Sequence, residues 1–196
     1  MSCAAEKFEE EETKRPSFLR KLPWGGFSYK DYLKWDEDVR WELMNGIPYM
    51  MAGASVWHQR MVSRLHLQLG NLLTGKPCEV FIAPFDVRLF PKDDLSDITV
   101  VQPDVLVVCD EEKISDGKAC KGPPDFIAEV VSENSEGRDL IDKRKLYEKA
   151  GVKEYWAVTE KKVHRYILKD NKYEEDVSDR GQKLPVSVLK GCFIDL

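Results

Sequence analysis

Two carboxylates stand where apolar side chains are expected. Asp104 follows Pro103 at the mouth of the run "VLVV", and Glu129 lies inside "DFIAEVVS". Taken alone, Asp104 reads as a strand-entry aspartate beside proline, paired with a nearby amide. Glu129 is harder to place, because a buried unpaired carboxylate costs several kcal/mol or takes up a proton. It requires a basic side chain or a metal ion, and the plain alternative is a structural salt bridge. A third charge follows in "GRDLIDKRKLYEKAG". At about 100° per residue, Leu140, Leu146, Tyr147 and Ala150 form the apolar stripe of a helix, and Lys143 falls at its centre with Asp139 beside it. An intrahelical Asp139–Lys143 pair would contribute only about 0.3–0.5 kcal/mol. That is too little to explain two charges on a core-facing stripe. The arrangement predicts that Lys143 meets the carboxylates of the sheet. Two acidic side chains converging on a hard cation that keeps most of its waters describe a magnesium site, with Mn²⁺ as a substitute. Such an ion polarises phosphoryl oxygens and activates water.

The elements that must position these groups can be read from patterning. Ser28 with Asp31 resembles a capping box opening a short helix. Asn45-Gly46 marks a tight hairpin, and Pro48 puts its second strand at a sheet edge. "SVWHQRMVSRLHLQLGNLLTG" predicts a helix with Val62, Leu65, Leu69 and Leu72 on one stripe. "CEVFIAPFDVRLF", "VQPDVLVVCD" and "DFIAEVVS" predict three strands, the last two central. The helix ended by Gly151 precedes "EYWAV", "VHRYIL" and "KYEEDV", three further strands, with Asp170-Asn171 in a turn. The strand–helix–strand run from 125 to 158 predicts a crossover, and hence an α/β domain with a mixed sheet flanked by helices.

The 196 residues suit one domain, expected over 17–196 after an acidic, disordered tail at 1–16. The apolar runs are too short to span a bilayer, and a cytoplasmic location without membrane contact is expected. The net charge of −5 argues against non-specific coating of nucleic acid, though not against a local basic groove. Arg138, Lys143 and Arg144 with Arg60 and Arg64 are the residues that would form such a groove. The five scattered cysteines contain no CxxC and predict neither a disulfide framework nor zinc, but reduced thiols. His58, opening the first long helix, faces the site or serves as a surface or capping residue. Asp86 and Arg88 share strand parity and predict a salt bridge.

"PD" at 103–104 followed by "EVV" from Glu129 resembles the PD-(D/E)xK signature of restriction-endonuclease-like nucleases. The ordered set "WELMNG", "APFDVRL", "QPDVLVV", "PDFIAEVVS" and "DLIDKRKLYEKAGVKEYW" is more specific, and resembles the Uma2 family of restriction-endonuclease-like proteins. The resemblance implies a restriction-endonuclease-like fold and a metal-dependent endonuclease acting on DNA, with a possible homodimer. It implies that Asp104 and Glu129 hold the metal and that Glu42 supplies a further acid. The signature's lysine would stand two residues after Glu129, where this chain has Val131. Lys143, on the following helix, takes its place. The alternative is a catalytically inactive nuclease fold that serves as a nucleic-acid-binding or regulatory module.

Overall fold

A proline breaks each of two long apolar runs, and those breaks decide the architecture. In the computed structural model the described residues are 26–36, 38–132 and 137–196, without the side chain of Arg138. The acidic segment at 1–16 lies outside them. A single turn of helix, α1 (Tyr29–Tyr32), opens the fold; the Ser28 N–H donates to Asp31 Oδ2, as the capping pattern predicts, and the Ser28 hydroxyl donates to the same oxygen. The hairpin of β1 (Trp41–Met44) and β2 (Ile47–Met50) turns at Asn45-Gly46, both at positive φ. Helix α2 (Val56–Leu73) is capped by Ser55, whose hydroxyl accepts from the His58 N–H. Its buried stripe is Met61, Leu65, Leu69 and Leu73, with Val62 and Leu72 at the margin.

The run expected to be one strand from Cys78 to Phe90 is two, β3 (Glu79–Ile82) and β4 (Val87–Arg88), separated at Pro84. Likewise "VQPDVLVV" divides at Pro103 into β5 (Val100–Val101) and β6 (Val105–Val108). Proline has no N–H to give the ladder, so each run crosses to a second sheet there. With β7 (Cys120–Lys121), the short pieces form a five-stranded sheet in the order β2-β1-β5-β4-β7. Pro48 lies on its edge strand, as expected. The larger sheet adds β8 (Phe126–Val130), β9 (Glu154–Val158), β10 (Lys162–Lys169) and β11 (Lys172–Asp179). Its order is β11-β10-β9-β8-β6-β3, with β9 and β8 at the centre, β6 one strand in from the edge, and β8 parallel to β9. The single mixed sheet expected from the sequence is therefore joined by a second, smaller mixed sheet.

One face of the large sheet buries Val105, Val107, Phe126, Ala128, Trp156 and Val158 against α2 and the terminal hairpin of β12 (Lys183–Pro185) and β13 (Phe193–Asp195). The other face, with Leu106, Val108, Ile127, Val131 and Tyr155, packs on the smaller sheet through Val87, Leu89 and Val101. Helix α3 (Arg144–Ala150) covers the same face, and each fully buried large side chain there contributes roughly 1.5–3 kcal/mol. Gly151, at φ 89°, ends α3 in the left-handed conformation that glycine adopts without strain.

One expectation fails. Cys78 and Cys109 are joined in a disulfide, because the antiparallel pairing of Glu79 with Val108 sets them opposite each other one step further on. Cys120 and Cys192 are buried free thiols that pack as small apolar residues. No helix among the described residues is long and apolar enough to cross a membrane.

Candidate active site

The register of the large sheet brings the two acids together. Val105 pairs with Ala128 in the antiparallel β6–β8 ladder, so Asp104 lies opposite Glu129, and opposed residues share a face. Each carboxylate is tied to the other strand. Asp104 Oδ2 accepts the Val130 N–H at 2.8 Å, and Glu129 Oε2 accepts the Asp104 N–H at 3.3 Å. The Pro103 break is what turns Asp104 into this position at the end of β6.

Lys143 arrives from the helix after β8. Residues Arg138–Lys143 form a π-turn that runs straight into α3, a wider local winding often found at functional sites. Lys143 Nζ lies 2.8 Å from Glu129 Oε1, 2.8 Å from Glu42 Oε1 and 3.8 Å from Asp139 Oδ1. It is only 3% exposed. Tyr147, one turn later, donates its hydroxyl to the same Glu129 Oε1 at 2.7 Å. Glu42 comes from β1 of the smaller sheet, and its Oε1 also accepts the Gln102 N–H at 3.0 Å. The four residues singled out from the sequence, Glu42, Asp104, Glu129 and Lys143, thus meet where the two sheets and the helix converge.

The electrostatics are unbalanced. Glu42, Asp104, Glu129 and Asp139 are all buried around one buried ammonium. Burial, more than any neighbour, raises the Glu129 carboxyl to a pKa of about 8; Lys143 pulls it down, and Asp104, Asp139 and Glu42 push it further up. Burial would lower the Lys143 ammonium, but Glu129, Glu42 and Asp139 outweigh it and hold its pKa above the ordinary value. His58 Nε2 lies 3.0 Å from Asp104 Oδ2, and that hydrogen bond holds the imidazole above its usual pKa. His58 therefore faces the site.

A pH dependence follows. Between the ordinary glutamate value of 4.5 and about 8, folded Glu129 retains a proton that the unfolded chain has released. Stability therefore falls as pH rises across that window, by at most about 1.4 kcal/mol per unit for one group. His58, also raised, acts in the same direction. Denaturant titrations of metal-free protein in chelator at pH 5, 6, 7 and 8 are expected to show a declining midpoint. A flat or rising series would mean that the cluster carries no buried charge excess.

Several residues read from the sequence sit elsewhere. Asp86 does not pair with Arg88; it accepts from the Tyr32 hydroxyl at 2.8 Å and Gln102 Nε2 at 3.0 Å. Arg88 forks onto Asp97 instead, both side chains buried, since a carboxylate reaching back across the loop fits the guanidinium better than one two residues along the strand. The expected basic patch does not assemble. Among the described side chains, Lys143 is buried, the Arg144 guanidinium lies over the Tyr166 ring, and Arg60 and Arg64 line an open groove on α2; the side chain of Arg138 lies outside them. Gln102 and the hydroxyl role of Tyr147 were not found from sequence. A glutamine between a valine and a proline carries no signal, and Tyr147 was already accounted for by the apolar stripe.

Among the described residues no three His, Cys, Asp or Glu side chains form a ready-made metal cage. The donor chemistry nevertheless fits a hard divalent ion. The nearby atoms are carboxylate oxygens, their charge exceeds that of Lys143, and Asp104 Oδ1 makes no hydrogen bond among the described residues.

Mixed sheets flanked by few helices, closing over buried acids and one lysine, place the chain in the α/β class. The chain belongs to the Uma2 family, whose model, described as "Putative restriction endonuclease", matches residues 29–196. It is 30% identical over 129 residues to slr1290, an uncharacterized protein of Synechocystis sp.. That similarity covers 64% of this chain and 64% of the relative's length. The fold is similar to the crystal structure of a "putative nuclease belonging to DUF820" from Anabaena variabilis. The TM-score is 0.69 at 17% identity, covering 86% of this chain and 94% of that one.

Proposed function

We propose that this protein is a divalent-metal-dependent endonuclease that hydrolyses phosphodiester bonds of DNA. The observation that carries the reading is the buried excess of carboxylate around Lys143, at the meeting point of β1, β6, β8 and the π-turn. Asp104 and Glu129 are the residues that would hold Mg²⁺ or Mn²⁺. When bound, such an ion supplies Lewis acidity toward a phosphoryl oxygen and a more acidic water. The chain's own groups prepare the rest. His58 and the Val130 amide fix the Asp104 carboxylate, and Tyr147 with Lys143 fixes Glu129. Lys143 ties Glu42 to Glu129, holding acids of the two sheets in one place. The family description and the nuclease named for the related fold support the substrate class.

The test is nicking of supercoiled plasmid by the purified full chain, with Mg²⁺, with Mn²⁺ and with chelator, beside Asp104→Ala. Metal-dependent nicking that falls about 10²-fold or more in the variant is expected. Equal activity in both proteins, or activity in chelator, would refute the assignment.

A further inference from the structure

The site is negatively charged, and so is a phosphodiester. Some cation at the rim must therefore offset the repulsion before any bond is broken. Lys143 does not serve, since its ammonium is buried among acids. Of the seven arginines whose side chains are described, four are committed. Arg88 forks onto Asp97, and Arg165 pairs with Asp176. Arg144 lies over Tyr166, and Arg180 donates to the Glu160 carbonyl. Arg60 and Arg64 have no guanidinium partner among the described residues, but they line the groove on α2, which contains none of the site acids.

Arg40 is different. It lies two residues before Glu42, is exposed, and uses only its Nε, which donates to Gln102 Oε1 at 3.1 Å. Gln102 is 7% exposed and held on every side: its N–H donates to Glu42 Oε1, and its Nε2 donates to Tyr32 Oη and Asp86 Oδ1. The inner edge of the Arg40 guanidinium is thus anchored to the residue that also positions Glu42. Its outer Nη fork makes no hydrogen bond among the described residues. A planar fork with one side fixed and the other open matches a phosphate bidentately, with little side-chain freedom left to lose.

We infer that Arg40 binds a backbone phosphate of the nucleic acid at the mouth of the candidate active site, and that the Tyr32–Asp86–Gln102 network exists to hold its guanidinium there. This rests on the nuclease reading and adds to it the residue that receives the substrate. A phosphate-binding group that acts equally before and during the reaction changes KM rather than kcat.

Arg40→Ala and Arg40→Lys are compared with wild type, with Arg60→Ala as the control for loss of one exposed positive charge. Plasmid cleavage is measured with Mg²⁺, and fluorescence anisotropy of a labelled DNA duplex is measured in chelator, across a salt series. Arg40→Ala is expected to raise KM about tenfold with kcat within about twofold, and to weaken duplex binding with a shallower salt slope. Arg40→Lys, which keeps the charge but not the fork, recovers only part of the loss. Arg60→Ala stays at the wild-type values. Wild-type KM and binding in Arg40→Ala, or an equal loss in Arg60→Ala, would overturn the assignment. Arg40-dependent duplex binding without cleavage by wild type would support Arg40 and sink the nuclease reading. No binding and no cleavage by wild type would sink both.

Discussion

Glu129→Gln is expected to abolish metal-dependent cleavage while making the metal-free protein more stable. The two effects have one cause. Burial and three neighbouring acids raise the Glu129 carboxyl to about 8, so an ionised group at this position costs folding free energy at neutral pH. Glutamine keeps the shape and one acceptor, for the Lys143 ammonium and the Tyr147 hydroxyl now bonded to Oε1, while its NH2 group gives up the weaker 3.3 Å bond that Oε2 accepts from the Asp104 N–H. It removes the charge. At pH 8 the variant should gain about 1–3 kcal/mol in chelator, with the gain vanishing near pH 5. Cleavage should fall by about 10³-fold or more, because a neutral amide is a poor ligand for a hard divalent ion. Paired denaturant titrations and plasmid assays check both halves. A variant that is both inactive and destabilised would show that Glu129 is a structural salt-bridge partner.

Lys143→Ala should have the opposite effect on stability. The ammonium is the one positive charge buried among Glu42, Glu129 and Asp139. Its loss leaves acids of two sheets facing each other with no cation, and truncating one partner of a buried pair costs about 3–5 kcal/mol. Cleavage should also fall by about 10²–10³-fold. Adding millimolar Mn²⁺ should restore more stability to Lys143→Ala than to wild type, since the uncompensated acids bind the cation more tightly and a ligand stabilises the folded state by its concentration relative to Kd. The double variant Lys143→Ala/Glu129→Gln should lie between the single variants in stability. A Lys143→Ala protein as stable as wild type would mean that its ammonium does not compensate these acids.

Much of this was legible from local chemistry. Asn45-Gly46 could only be a tight turn, and Pro48 had to lie on an edge. Lys143 stood out because its place on the apolar stripe requires an anion, and that logic survives the π-turn, which shifts the helix without removing Lys143 from its inner face. Asp104 shares strand parity with Leu106, and Glu129 with Ile127, and all four lie on one face. What parity could not supply is register. That Asp104 opposes Glu129 depends on which strand pairs with β6, a non-local choice. Nor could it show that Pro84 and Pro103 send one continuous-looking run into two sheets, or that Cys78 and Cys109 would meet. The Gln102 anchor and the His58–Asp104 bond escaped for the same reason, since both join residues far apart in the chain.

The claim beneath all of this is that Asp104 and Glu129 share one divalent ion. Calorimetric titration of the metal-free full chain with Mn²⁺, beside Asp104→Asn and Glu129→Gln, tests it most directly. One ion bound per chain, with the binding heat lost in both variants, is the expected result. Binding that is absent in wild type, or that persists unchanged in either variant, would contradict it.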